Sequence, residues 1–257
     1  MSTFDTNITR AARLMHSSHY TVAFTGAGIS VESGIPPFRG GDGLWDKVDP
    51  SFLEIDYFYQ QPEKSWKVIR EIFYQYLGKA RPNIAHCVLA RLEENNLLHA
   101  LITQNIDNLH QQAGNQDVIE FHGTTGRLIC TRCGQTIGES DKINHLIEIL
   151  PPRCPECGGL LKPDFVFFSE MIPESARDRS FAAARKASVF IIIGTSGEVF
   201  PAAMLPTNAK RAGATVIEVN TEPSSYTHQV TDIFLQGKAS TVLETLEQAL
   251  NSNNQVS

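Results

Sequence analysis

Apolar positions along the chain follow two alternating patterns. Short runs rich in β-branched and aromatic residues are typical of strands buried in a sheet, and residues 187–193 are the clearest example. Between such runs, apolar residues recur at helical spacing, as Ile8, Ala11 and Met15 do. We predict strands over residues 20–24, 98–103, 118–121, 187–193 and 214–219, and helices over 5–19, 63–79, 82–96 and 201–212. This alternation predicts an α/β fold, with a Rossmann-like parallel sheet covered by helices on both faces.

Small and polar residues follow each predicted strand, where ligands bind in open α/β sheets. The candidate segments are 25–40, 104–107, 122, 194–196 and 220. In the first, Gly26 and Gly28 permit a sharp turn whose backbone N–H groups could bind a phosphate at the start of a helix. The third glycine of a dinucleotide fingerprint falls late, at Gly34. Taken alone, the turn fits an ordinary strand-to-helix connection equally well.

Two further strand ends carry candidate chemistry. Gln104-Asn105-Ile106-Asp107 follows the second strand, although a capped turn also uses Asn and Asp. His122 follows the third strand, and a lone histidine is more often structural, but its place at a strand end favours a functional role. Later in the chain, Gly194-Thr195-Ser196 forms a turn suited to a phosphate or a ribose, and Asn220-Thr221 ends the last predicted strand.

The cysteines predict a metal site. Four of the five lie in two Cys-x-x-Cys pairs, Cys130/Cys133 and Cys154/Cys157, separated by 20 residues. This spacing is typical of a four-thiolate zinc ribbon, which here would be inserted within the larger domain as residues 124–161. Because four thiolates leave no open coordination position, the zinc would be structural. Cys87 stands alone in an apolar helical pattern and is expected to be a core thiol.

Composition narrows the function classes. The 257 residues are 42% hydrophobic and 19% charged, as in globular proteins. A net charge of −6 argues against direct nucleic-acid binding, and no apolar run reaches the length of a membrane span. With no signal region at the N-terminus, we expect a cytoplasmic protein. The expected domains are residues 1–123 with 162–250, including a lid or helical insertion at about 40–80, the zinc module at 124–161, and a polar tail at 251–257.

Taken together, these motifs resemble those of the sirtuins, the NAD-dependent protein-lysine deacylases, in their prokaryotic form. The run 25–40 begins Gly-Ala-Gly-Ile-Ser and ends Phe-Arg-Gly, and the strand-end motifs and both cysteine pairs follow in the sirtuin order over residues 8–250. The resemblance implies that NAD is consumed as a co-substrate, with release of nicotinamide and formation of O-acyl-ADP-ribose and a deacylated lysine. The substrates would be acyl-lysine proteins or peptides, and the enzyme is expected to be a monomer.

The resemblance also implies residue roles. His122 is expected to be the general base, while Asn105 and Asp107 hold a water and the nicotinamide carboxamide, and Phe38 shields the reactive carbon. The implied NAD contacts are Gly26, Ala27, Gly28, Ser30, Val31, Phe38, Arg39, Gln104, Asn105, Ile106, Asp107, His122, Gly194, Thr195, Ser196, Asn220 and Thr221. Val166, Phe167 and Phe168 would pair with the substrate backbone, and Phe167 would line the acyl-lysine tunnel.

The chain departs from the sirtuin pattern in two places. Ser169 replaces the glycine of Phe-Gly-Glu, and Gly197-Glu198 follows Gly194-Thr195-Ser196. Sirtuins that prefer succinyl or malonyl groups resemble one another in a Tyr-x-x-Arg pair, and residues 51–80 of this chain contain no such pair. We therefore expect the enzyme to remove acetyl and other uncharged acyl groups. Three other functions stay open: a zinc-ribbon adaptor, a sensor that only binds NAD or ADP-ribose, and an ADP-ribosyltransferase or NAD hydrolase.

Overall fold

The computed structural model describes residues 2–37, 43–44 and 48–253. Its strands are β1 (Thr21–Thr25), β2 (Ala100–Thr103), β3 (Val118–Glu120), β4 (Gly123–Cys130), β5 (Thr136–Ile137), β6 (Leu161–Phe165), β7 (Val189–Ile193), β8 (Thr215–Asn220) and β9 (Ile233–Gln236). Six of them form one parallel sheet in the order β3-β2-β1-β7-β8-β9. The strand order reverses between β1 and β7, and such a switch point is where ligands bind in this architecture.

Helices cover both faces of this sheet, as predicted. The α-helices with described bounds are α1 (Thr3–Ser17), α2 (Ile55–Gln60), α3 (Pro62–Ile69), α4 (Ile84–Glu94), α5 (Leu109–Ala113), α6 (Ser140–Leu146), α7 (Glu174–Lys186), α8 (Met204–Arg211) and α9 (Ala239–Asn253). Of these, α2, α3 and α6 pack with the smaller sheet and not on this one. Side chains of β1 alternate in direction, so that Ala23 packs towards α1, α4 and α9, whereas Val22 and Phe24 pack towards α7 and α8. This two-sided burial explains why the strands read as continuous apolar runs.

A second, three-stranded antiparallel sheet, in the order β5-β4-β6, carries the cysteine pairs. Its apolar side chains share one core with the helical segment that precedes α4, and the indole Nε1 of Trp66 donates to the carbonyl of Leu161 at 2.9 Å. Sequence reasoning had assigned this helical segment to the large domain. Its buried side chains instead pack with the cysteine module, which faces the strand ends from across a cleft.

The segment expected to be one helix over 63–79 has three parts. The α-helix ends at Ile69, a π-helix runs over Arg70–Tyr76, and a 3₁₀ turn follows over Leu77–Lys79. π-Helical turns are rare and are frequent at functional sites. Here Phe73 of the π-helix and Leu77, which follows it, line the wall of the cleft.

The C-terminal part of the chain contains two elements that the apolar pattern did not predict, β9 and α9. The helix continues to Asn253, so residues 251–253 of the expected polar tail are helical. Leu250 is fully buried, and its carbonyl lies 2.8 Å from His16 Nε2 on α1, which holds the last turn against the core. None of the helices described here is both long enough and apolar enough to cross a bilayer.

Candidate active site

Two glycine turns meet at the switch point. The N–H of Gly28 donates to the carbonyl of Gly194 at 2.8 Å, and that of Gly26 donates to the carbonyl of Ile193 at 2.9 Å. A Cβ on Gly28 would lie 2.6 Å from the Cα of Gly194, and one on Gly26 would lie 2.7 Å from the Cβ of Thr195. The two turns therefore need glycine because their backbones pack directly against each other.

The segment after β1 differs from the α-helix of a dinucleotide-binding turn. Residues Ala27–Ser33 form a 3₁₀ helix, which ends at Gly34 in the left-handed conformation with φ of 85°. This turn therefore lacks the dipole of a long α-helix behind it. The short helix instead buries Ser30 and directs its hydroxyl towards the end of β2, while Val31 points to solvent with 46% of its surface exposed.

Ser30, Asn105 and Asp107 form one polar cluster. The Ser30 hydroxyl donates to Asp107 Oδ2 at 2.7 Å, and Asn105 Nδ2 donates to Ser30 Oγ at 3.2 Å and to the carbonyl of Gly26 at 3.1 Å. The cluster is thus fixed to the glycine turn, because the end of β2 lies beside the end of β1. Burial raises the pKa of the Asp107 carboxyl, although the N–H of Leu109 and the Ser30 hydroxyl partly offset this.

Two buried histidines support this cluster from behind, and sequence reasoning did not identify them. His86 Nε2 lies 3.5 Å from Ser30 Oγ, and burial lowers the pKa of His86 to about 4. His110 is fully buried, lies 2.9 Å from Thr25 Oγ1 and packs with a centroid distance of 4.9 Å on the ring of His86. Burial therefore favours the neutral form of both imidazoles; His86 lies beside Ser30 of the cluster, and His110 bonds to Thr25 at the end of β1.

His122 is held in one tautomer by the neighbouring strand end. Its Nδ1 donates to the carbonyl of Gln104 at 3.0 Å, which leaves Nε2 without a proton when the ring is neutral. Burial lowers the pKa of His122, and the bond to Gln104 partly offsets this. Gln104 in turn donates from Nε2 to Thr195 Oγ1 at 3.1 Å, so the ends of β2 and β7 are tied together.

The adenosine-side candidates lie around the end of β8. Asn220 Nδ2 donates to the carbonyl of Thr195 at 3.2 Å, and the N–H of Thr221 donates to Asn220 Oδ1 at 3.0 Å. Thr195 is buried, whereas Ser196 and Thr221 are exposed. The four residues Thr195, Ser196, Asn220 and Thr221 therefore lie next to the glycine turns, and Ser196 and Thr221 face solvent. Phe38 and Arg39 lie outside the described residues.

The cleft between the strand ends and the small module encloses about 420 Å³, including its open mouth. From the sheet side it is lined by five expected NAD contacts: Ala27, Ser30, Asn105, Ile106 and Asp107. The other described residues that line it, which were not predicted as site residues, are Ile35, Phe73, Leu77, Gly78 and Thr125. Phe73 and Leu77 have the spacing of a helix that faces the core, so their spacing does not indicate a cleft. The π-helix that contains Phe73 could not be predicted from the sequence.

The proposed peptide-binding segment lies between His122 and the helical part of the small module. The N–H of Val166 donates to the carbonyl of His122 at 2.9 Å, and Phe168 exchanges backbone hydrogen bonds with Leu53 and Ile55. The Phe167 ring is 2% exposed and stacks on Phe165 at a centroid distance of 5.1 Å. The backbone of Phe168 is thus already paired within the chain.

The four cysteines form one cluster in which all sulfur atoms lie within 4.8 Å of one another. Sulfur pairs are separated by 3.5 Å (Cys130 and Cys157) and 3.9 Å (Cys133 and Cys154). A tetrahedral zinc with Zn–S bonds of about 2.3 Å requires about 3.8 Å between sulfurs, so the cluster fits this ion. A Cβ on Gly159 would lie 2.9 Å from the sulfur of Cys130, so this glycine makes room for the thiolates.

Backbone N–H groups point at sulfurs of this cluster and favour the ionised form of Cys130. The N–H groups of Cys133 and Arg132 lower the pKa of the Cys130 thiol to about 6. At Cys133, the N–H of Gln135 lowers the pKa, but hydrogen bonds with the neighbouring thiols outweigh this and raise the pKa. The N–H of Gly159 donates to the sulfur of Cys157 at 3.4 Å. These donors are what a negatively charged metal-thiolate centre needs, because each places a positive dipole against sulfur.

Comparisons with known proteins agree with this architecture. The Sir2 family model matches residues 26–201. An NAD-dependent protein deacylase of Aeropyrum pernix is 47% identical over 93% of this chain and 96% of its own length, and one of Pyrococcus abyssi is 45% identical over 92% and 95%.

Solved structures extend the agreement to three dimensions. A mutant Sir2 homologue in complex with ADP ribose superposes with a TM-score of 0.88 at 37% identity, covering 96% of this chain and 98% of its own. Sir2 with a p53 peptide and NAD+ superposes with a TM-score of 0.83 at 35% identity, covering 96% and 98%. The sirtuin resemblance is thereby confirmed: the chain belongs to the Sir2 family.

Proposed function

We propose that this protein is an NAD-dependent protein-lysine deacylase that acts on acyl-lysine side chains of proteins or peptides. The reaction cleaves NAD, releases nicotinamide and transfers the acyl group to ADP-ribose. The observation that carries the proposal is that His122, in a tautomer suited to a base, lies at the sheet edge that carries Asn105 and Asp107. The deacylase activity named for relatives that are more than 40% identical supports it.

The residues at the switch point fit NAD. Gly26, Gly28 and Gly194 allow the two turns to pack directly on each other at the switch point, where we propose that the pyrophosphate binds. We assign the phosphates to this turn, the nicotinamide side to Ala27, Ser30 and Ile106, and the adenosine side to the Thr195, Ser196, Asn220 and Thr221 group. Phe38 and Arg39 stay predictions from the sequence.

Asn105 and Asp107 are suited to the nicotinamide and to a water. Asp107 uses its two oxygens to accept from Leu109 and Ser30, and each carboxylate oxygen has a second lone pair for a carboxamide N–H at the cleft. The side-chain amide of Asn105 donates to the carbonyl of Gly26 and to Ser30 Oγ, which fixes the rotamer. Its side-chain carbonyl oxygen is left as an acceptor for water. Ser30 thus orients both groups at once.

His122 is the proposed general base. NAD supplies a ribose carbon that becomes electrophilic when nicotinamide leaves, and a ribose hydroxyl that must then lose a proton. His122 Nε2 takes this proton, because Nδ1 is committed to the carbonyl of Gln104. Burial keeps the ring neutral near pH 7, so the base is in its active form at the outset. General bases of this kind contribute roughly 10²–10⁴-fold to the rate.

The acyl-lysine peptide is proposed to bind along Val166, Phe167 and Phe168. This segment is hydrogen-bonded to the backbone of His122, so a lysine that crosses it can reach the base. The N–H groups of Val166, Phe167 and Phe168 are bonded within the chain to His122, Glu170 and Leu53, so the proposed peptide would lie beside a segment whose N–H groups are already paired. Because Phe167 packs in the core of the small module, it would present only its edge to the acyl-lysine tunnel.

The four thiolates of Cys130, Cys133, Cys154 and Cys157 would hold zinc in a structural role, which fixes the ribbon against which the helical segment packs. We further propose that the enzyme acts as a monomer in the cytoplasm and does not bind nucleic acid directly, in line with its net charge of −6.

The test is nicotinamide release with and without a peptide that contains acetyl-lysine. A deacylase releases nicotinamide in step with peptide, whereas an NAD hydrolase releases it equally well without peptide. Transfer of ADP-ribose to the peptide, detected as a mass gain, would identify an ADP-ribosyltransferase. A protein that binds NAD and releases none would be a sensor or an adaptor, and would contradict the proposal.

A further inference from the structure

A buried lysine lies directly behind the proposed peptide-binding segment and has no part in the mechanism above. Lys162, on β6, is 6% exposed, and burial lowers its pKa. An ammonium removed from water needs a partner for each of its three N–H groups. Its surroundings therefore show what the side chain holds in place.

All three donors of Lys162 are used within the next eight residues of the chain. Nζ lies 3.1 Å from the carbonyl of Pro163, 2.7 Å from the carbonyl of Phe165 and 3.0 Å from Oε2 of Glu170. It also lies 4.4 Å from the centre of the Phe167 ring, within the range of a cation–π contact. The segment 163–170 thus folds around a single positive charge.

Glu170 closes this segment from its other end. The carboxylate oxygen that accepts from Lys162 also accepts the N–H of Phe167 at 2.9 Å, and the N–H of Glu170 donates to the carbonyl of Phe167 at 3.1 Å. Between them, Ser169 adopts a left-handed φ of 66°. Such a conformation persists in a residue with a side chain only when its surroundings hold it there. The Lys162–Glu170 pair provides that restraint.

We propose that Lys162 and Glu170 are positioning residues for the acyl-lysine peptide, an inference that rests on the proposed function. The pair fixes the backbone of Val166–Phe168 relative to His122 and to Leu53, which are the two neighbours of that segment. Among the described residues, the hydrogen bonds of these two side chains go to Pro163, Phe165 and Phe167 and to each other, and none goes to a proposed NAD contact. Loss of either charge therefore weakens the use of peptide while the NAD site stays intact.

The experiment compares Lys162→Met, Glu170→Gln and their double variant with the wild-type protein. Glu170→Gln leaves the buried Lys162 ammonium without its carboxylate, and Lys162→Met leaves the partly exposed Glu170 carboxylate without its cation, whereas the double variant removes both charges. Lys162→Arg keeps the charge and tests rescue. The measurements are the KM for an acetyl-lysine peptide, the Kd for NAD by calorimetry, and the melting temperature. The matched control is Lys142→Met with Glu139→Gln, an exposed pair joined at 2.7 Å on the small module.

We expect each single variant to raise the peptide KM by about tenfold or more, the loss typical of a charge-assisted hydrogen bond. The Kd for NAD should stay within about twofold, and both the double variant and Lys162→Arg should recover part of the loss. The control pair should change none of these values, because exposed ion pairs contribute little.

Two results would overturn the inference. An unchanged peptide KM in folded Lys162→Met and Glu170→Gln would show that the pair does not position substrate. An equal loss of peptide use and NAD affinity would show a general structural role. A wild-type protein that binds NAD but does not turn over any acyl peptide would instead refute the proposed function, and this inference with it.

Discussion

His122 Nδ1 lies 3.0 Å from the carbonyl oxygen of Gln104, and this single hydrogen bond determines which nitrogen can act as a base. The acceptor is a backbone atom at the end of β2, so its position is set by the sheet and not by a mobile side chain. The end of β2 therefore determines both the tautomer and the position of the His122 ring.

The first prediction is a pH profile. Since burial lowers the pKa of His122, the ring stays neutral down to a pH below its ordinary value of about 6.5. kcat/KM for the acetyl peptide should be flat around pH 7 and fall by about tenfold per pH unit only below that lowered pKa. NAD binding measured over the same range controls for titration of the buried His86.

His122→Ala should remove the acid limb of this profile together with roughly 10²–10⁴-fold of kcat/KM. Its Kd for NAD should change little, because the glycine turns do not involve this side chain. An apparent pKa above 7, or near-normal turnover by His122→Ala, would show that another group is the base.

The second prediction concerns zinc. Freshly purified protein should contain about one zinc per chain, and Cys154→Ser should lose it with a loss of stability on the order of several kcal/mol. Because the helical segment shares a core with the ribbon, hydrogen exchange should rise over Pro62–Ile69 as well as near the cysteines. Unchanged protection of Pro62–Ile69 in the zinc-free protein would contradict the shared core.

The third prediction concerns Ser169, the residue that replaces the sirtuin glycine. A left-handed φ costs a residue with a Cβ about 1–2 kcal/mol, whereas glycine adopts it freely. Ser169→Gly should therefore raise the free energy of unfolding by roughly 0.5–1 kcal/mol, even though it removes the exposed hydrogen bond to Glu54. Ser169→Ala is the control, since it loses the same bond and keeps the Cβ. Equal stability of the two variants would rule out conformational strain.

The fourth prediction is acyl preference. Arg70 lies on the helical segment where other sirtuins carry the Tyr-x-x-Arg pair. Its guanidinium donates to the carbonyls of Ile147 and Glu148 at 3.2 and 3.3 Å and is therefore held in the small module. Lys67 is exposed. Within the described part of the chain, no lysine or arginine lines the cleft. A buried succinyl carboxylate would be unpaired, at a cost of several kcal/mol.

One peptide carrying either acetyl-lysine or succinyl-lysine measures this preference. We expect kcat/KM for the acetyl form to exceed that for the succinyl form by about tenfold or more. A preference for succinyl-lysine would require a cation in the tunnel, and Arg70→Met and Lys67→Met would then identify which side chain moves there.

The sequence predicted the parts of the site that depend on local chemistry. These parts are the strand ends, the Gly26–Gly28 turn and the paired cysteines. In each, the residues that determine the local structure lie within a few positions of one another. Parallel packing then brings Ser30, Asn105 and Asp107 together, as the order of strands requires. Gly34, the late third glycine of the sequence pattern, ends the 3₁₀ helix in the left-handed conformation and does not pack against a strand.

What the sequence did not predict depends on contacts between distant segments. Trp66 bonds to Leu161 across 95 positions, and periodicity alone cannot identify such a partner. Phe73 has the spacing of a core residue and is one, but it also lines the cleft, which the spacing does not indicate. Likewise, Lys162 reads as an ordinary charged residue on a strand until the fold buries it.

Product stoichiometry tests the central claim most directly. The wild-type protein is incubated with NAD and a peptide whose acetyl-lysine carries an isotopic label, and nicotinamide, free lysine peptide and labelled O-acetyl-ADP-ribose are quantified together by mass spectrometry. The account predicts equal amounts of all three, with the label on ADP-ribose and none as free acetate at early times. Nicotinamide formed without deacetylated peptide, or deacetylation that proceeds without NAD, would contradict it.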